Sequence, residues 1–138
     1  MLFERHIQFL RRINQQLEGE GSWYNPRQRG DICKELIRCL VCIAQAGEDT
    51  HELQTPRIIH RVWRSVYMTH EYKEFCRDAF GRHINFQPFQ LNQQELVLAE
   101  RINNLAVSYR NYWGQWPIKG IWPEWRGPPP QYIRRRTR

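Results

Sequence analysis

Apolar residues recur at helical intervals through most of this chain. Near its start Phe3, Ile7, Leu10, Ile13 and Leu17 step by four, three, three and four, one stripe of an amphipathic helix. Arg5, Arg11, Arg12 and Gln15 fall mostly on other faces. Gly19, Gly21 and Asn25-Pro26 then break the pattern and predict a loop of about a dozen residues that holds Trp23 and Tyr24.

Asp31 stands where an N-cap would open a second helix over residues 32–46, with Gly47 as its stop. That stretch carries Ile32, Leu36, Ile37, Leu40, Val41 and Ile43 on most of its sides, so it is expected to be the central buried helix. Thr55-Pro56 predicts a third start, with Thr as cap and Pro at the first helical position. Its apolar stripe is Ile59, Val62, Trp63 and Val66; Arg57, Arg61 and Arg64 share the opposite face.

Thr69 caps or bends the next segment, which has Phe75, Ala79 and Phe80 on its apolar side and Gly81 at its end. Residues 83–91 read as extended around Pro88. Asn92 to Glu95 approximates a capping box, and Leu91 and Leu96 are placed as a hydrophobic staple. Leu98, Ile102, Leu105, Tyr109 and Tyr112 then step by four, three, four and three, and Gly114 closes this last helix.

From Gly114 onward no helical or strand period remains. Four of the six tryptophans, Trp113, Trp116, Trp122 and Trp125, fall within thirteen positions around this boundary, among Pro, Gly and Arg. The fold expected is all-α, a bundle of four to five helices over residues 1–113 followed by a Trp/Pro/Arg-rich segment over 114–138. Its core is expected to comprise Leu10, Ile13, Leu36, Leu40, Ile59, Val62, Trp63, Phe75, Ile102 and Leu105. The first part of the Trp-rich segment is expected to wrap the body, because large aromatic area is costly to leave in water. Residues 126–138 read as an exposed tail.

Length and charge narrow the picture further. The 138 residues suit one domain plus a tail, with enough apolar content (41%) to build a core. Lys+Arg 21 against Asp+Glu 14 gives a net charge of +7, and all but Lys34, Lys73 and Lys119 of the cations are arginine. Arginine's planar fork suits phosphates, carboxylates and aromatic faces, so nucleic acid or acidic protein partners are expected. The alternative is a merely solvated basic surface. The N-terminal region has charges among its apolar residues, and no apolar run is long enough to cross a bilayer, so an intracellular protein of cytoplasm or nucleus is expected.

The most specific short motif is Pro129-Pro130-Gln131-Tyr132, preceded by Pro128. It resembles the PPxY ligand of WW domains, in which consecutive prolines favour polyproline II and tyrosine supplies a second anchor. The resemblance implies recruitment of a WW-containing partner, usually a ubiquitin ligase of the HECT type. Similar motifs serve small viral proteins as late-budding signals, and an Arg-heavy accessory protein of this size would suit that setting by analogy. Arg134, Arg135, Arg136 and Arg138 follow, a cluster suited to nuclear import or to phosphate contact.

Catalytic patterns are missing. No Gly-rich phosphate loop, GxSxG elbow or HExxH is present, and a Cys76/His83 pair is of a kind that any chain with these residues offers. Cys39 and Cys42, with Cys33 nearby, invite a zinc reading that His70, Cys76 and His83 would have to complete. Their spacing fits no known finger, and cysteines inside an apolar helix behave as small hydrophobes. The expectation is therefore a non-catalytic adaptor or accessory protein without cofactor or metal. It would act through its helical body and its PPxY-like, Arg-rich tail. The main rival is a nucleic-acid-binding regulator that uses its arginines on phosphates and its aromatics on bases.

Overall fold

In the computed structural model, residues 6–19, 24–47, 52–88, 95–125 and 127 are described. Five α-helices and no strands occur among them, an all-α fold. They are α1 (Ile7–Gly19), α2 (Pro26–Ala46), α3 (Arg57–Val66), α4 (His70–Phe80) and α5 (Glu95–Trp113).

The longest helix starts five residues before Asp31. Asn25 is the N-cap: its side-chain oxygen accepts from the Gln28 amide at 2.8 Å, while Gln28 Oε1 accepts from the Asn25 amide at 2.9 Å. Pro26 follows at the first helical position, where its missing N–H costs nothing. The pair that reads as a loop breaker is therefore a helix start. Gly47, at φ +64°, ends the helix as the sequence predicts.

Helix α1 also differs from its expected orientation. Its buried stripe is Phe9, Ile13 and Leu17, whereas Ile7 is 48% exposed and Leu10 is only partly buried. Phe9 stacks on Phe75 at 4.6 Å between ring centres, and that contact fixes the rotation. Phe3, like Leu91 and Asn92, lies outside the described residues.

Helix α2 is the axis of the molecule, packing on α1, α3 and α5, while α1 also meets α3 and α4. Thr69 caps α4 by accepting from the Tyr72 amide at 3.2 Å, and Gly81 closes it in the left-handed region. Thr55 does not cap α3. Its hydroxyl lies 3.4 Å from His60 Nδ1, and the α3 start is capped from elsewhere. At the start of α5, Leu96 is exposed rather than packed as a staple.

Beyond α5 the chain turns back on the bundle. Residues 114–125 form a strap of consecutive turns, with Trp122 donating its amide to Ile118 and Lys119 and Trp125 donating to Trp122. Ile121, Trp122 and Trp125 enter the same core as the helices, and Trp116 stacks on Trp125 at 5.4 Å. Trp122 is completely buried.

Candidate interaction surface

The most unusual residue of the core is charged. Glu35 lies on the same side of α2 as Ile32, Cys39 and Cys42 and has zero exposure. A bare buried carboxylate would be prohibitive, so its oxygens need donors. Oε1 accepts from the Tyr109 hydroxyl of α5 and from Arg38 Nη1 at 3.2 Å, and Oε2 accepts from the Trp122 indole at 2.8 Å. Arg38 Nη1 also donates to the Tyr109 oxygen at 2.9 Å. The same guanidinium lies 5.8 Å from the Trp113 ring, whose indole donates to the Arg38 carbonyl at 3.3 Å. Burial and the neighbouring Glu35 push the Tyr109 hydroxyl well above its usual range, so it stays a proton donor. This network ties α2, α5 and the strap together.

A second tie runs from the strap to α3. Glu124 Oε1 accepts from the Arg57 amide at 3.2 Å, so a carboxylate 67 positions away supplies the missing cap. Negative charge there is favoured by the orphan amides and the dipole of the helix N-terminus. A third polar relay holds α3 to α4: Trp63 donates its indole proton to the Tyr72 hydroxyl at 3.0 Å, and that hydroxyl donates to the Ile84 carbonyl.

Arg57, Arg61 and Arg64 all lie exposed on one face of α3. Arg61 Nη2 donates to the Tyr24 hydroxyl at 3.0 Å, which joins this face to the entry of α2. The remaining candidates, Pro129, Pro130, Tyr132, Arg134, Arg135, Arg136 and Arg138, lie outside the described residues. The strap nonetheless carries the chain to within a few positions of Pro129.

All four cysteines are free and buried. Burial pushes the Cys33 thiol up to about 11 and Cys42 to about 12, and raises Cys39 and Cys76 too. Nucleophilic cysteines need the opposite shift. His83 is exposed, and its Nε2 lies 3.0 Å from the Tyr67 hydroxyl. Among the described residues, no three His, Cys, Asp or Glu side chains converge to hold a metal. No helix among them is long and apolar enough to cross a membrane.

Sequence reasoning passed over Glu35 and Glu124. Glu35 had a visible signal, a lone carboxylate at three- and four-residue spacing from Ile32 and Cys39 on an otherwise apolar face. Glu124 had none, because its partner is far away in sequence. No protein-family model, curated protein or solved structure matches the chain.

Proposed function

We propose that this protein is a non-catalytic adaptor that acts inside the cell, in cytoplasm or nucleus, and presents a WW-type ligand, Pro129-Pro130-Gln131-Tyr132, from a rigid helical platform. The observation that carries the reading is the anchoring of the strap. Trp122 is held by Glu35, Glu124 caps α3, and Trp125 is buried against Trp116, so the chain just before the motif has a fixed position on the body. A ligand displayed from a fixed point loses less freedom on binding than one on a long free chain. The partner class is a WW-domain protein, with HECT-type ubiquitin ligases the first to try.

The test is fluorescence-polarisation titration of a labelled tandem WW module with the full chain. Tyr132→Ala should weaken binding by about tenfold or more, since an anchor side chain is lost, whereas Arg134→Ala with Arg135→Ala should change it little. Equal binding by the wild type and Tyr132→Ala, or no binding by either, would defeat the reading.

The rival reading, a nucleic-acid-binding regulator, is favoured by the common exposed face of Arg57, Arg61 and Arg64. Together with Arg134, Arg135, Arg136 and Arg138 it would contact phosphates. In that case the tail arginine changes would weaken binding to a single-stranded oligonucleotide and flatten its salt dependence, and Tyr132→Ala would not.

A further inference from the structure

Where the entry of α2, the first turn of α3 and the strap meet, the surface opens into a cavity of about 150 Å³. Its walls include Ile32, Ile58, Ile118 and Ile121, with Tyr24 and Asp31 at the α2 side. Ile118 is 36% exposed at this opening. The volume is on the scale of one aliphatic side chain, and the lining is apolar with few polar groups, as in a pocket for a side-chain anchor.

The basic face borders the cavity. Ile58 lines it three positions before Arg61, a spacing at which side chains are neighbours on a helix, so Arg61 flanks it on α3, and Arg57 opens the same row four positions before Arg61. Arg61 is fixed at the edge by its 3.0 Å bond to the Tyr24 hydroxyl, and Tyr24 is itself part of the lining. Arg64 continues the same row one turn further on. Arg61 thus stands at one side of the cavity and Asp31 at the other, while the strap's Glu124 sits at the start of α3 against the Arg57 amide.

We infer that this cavity and the Arg57/Arg61/Arg64 row form a docking surface for an acidic segment of another protein, with one aliphatic or aromatic side chain in the cavity and its flanking carboxylates on the arginines. The occupant follows from charge and shape together. Phosphates would satisfy the arginines, but nucleic acid has no aliphatic group to fill a pocket walled by four isoleucines. The chain's own residues 126–138 are excluded by charge, since they hold five arginines and no acid. Asp31 places the acidic half of the partner on the α3 side and leaves the α2 side for its neutral or basic positions. The surface is independent of the PPxY-like motif and would give the adaptor a second partner.

The test is selection of peptides of about twelve residues from a random displayed library against the full chain, followed by polarisation titration with the labelled consensus peptide. The enriched sequences should pair one Leu, Ile, Phe or Met with two or more Asp or Glu. Ile118→Asp and Arg61→Glu should each weaken the consensus peptide by about tenfold or more, with circular dichroism and Tm confirming that both variants are folded. Among peptides with one acid at a time replaced by Lys, the one changed at the position facing residue 61 should regain binding to Arg61→Glu, and Tyr132→Ala should bind the original peptide as wild type does. No enrichment, a consensus without the acidic-apolar pairing, or wild-type affinity in either variant would overturn the inference. So would equal competition by oligo-dT at matched salt, which would assign the arginines to nucleic acid.

Discussion

Glu35 shows how one side chain can make a hydrophobic core specific. It sits at zero exposure with Tyr109, Arg38 and Trp122 all donating to it, so each partner depends on the others. Glu35→Ala leaves the Trp122 indole and the Tyr109 hydroxyl proton without their acceptor, while Arg38 keeps the Tyr109 oxygen, and should cost about 2–4 kcal/mol in urea unfolding. Trp122→Phe keeps most of the packing but removes one donor, and should cost about 1–3 kcal/mol. His60 makes a separate prediction. Its Nδ1 lies 3.3 Å from Gln54 Nε2 and 3.4 Å from Thr55 Oγ1, and burial, then the nearby Arg64, lower it to about 4 from the ordinary 6.5. Between those values the unfolded chain binds a proton that the folded one refuses. Stability is therefore complete above about pH 6.5 and falls as pH drops towards 4, by about 1–2 kcal/mol once solvent screening is allowed for. Tm measured across that interval should decline in wild type and decline less steeply in His60→Gln. The raised thiols predict that a thiol-reactive dye labels the four cysteines only after denaturation.

At the level of the element, each helix depends on its ends as much as on its stripe. Asn25→Ala removes the side-chain bond from the Gln28 amide while leaving the backbone half of the α2 capping box, and should cost about 1 kcal/mol, with Thr69→Ala at α4 similar. Gly81 sits at φ +69°, so Gly81→Ala should lower Tm through backbone strain alone, since no atom crowds that position. These same ends decide how far the helices were legible. The stops at Gly47, Gly81 and Gly114 could be read directly, because glycine tolerates a positive φ where a helix ends. The start of α2 could not. Asn25-Pro26 has one composition and two readings, turn or cap, and only Gln28 three positions on tips it towards the helix. The rotation of α1 was hidden for another reason. Two stripes, Leu10-Ile13-Leu17 and Phe9-Ile13-Leu17, share the helical period, and the aromatic stack on Phe75 of a different helix chooses between them.

For the whole molecule, the strap is the part that local pattern reveals least. It has no period to read, yet Ile121, Trp122 and Trp125 are as much core as α5 is. Their common core membership predicts that a chain ending after Trp113 loses about 5 kcal/mol or more of apolar burial and caps, whereas one ending after Gly127 does not. Circular dichroism should show Tm falling by about 10 °C or more for the first and little change for the second. The all-α body was recoverable from periodicity, while the polar contacts that close it run between residues too distant in sequence to be paired in advance. Those contacts also set a length. With the strap seated, only Pro128 separates Gly127 from Pro129, two residue steps with a reach of at most about 7 Å even when fully stretched. Release Trp122 from Glu35 and the free chain starts at Gly114, giving a leash of about fifteen residues with a typical span of about 20 Å. A partner bound to the short form must lie against the helical body; a partner bound to the long form need never touch it.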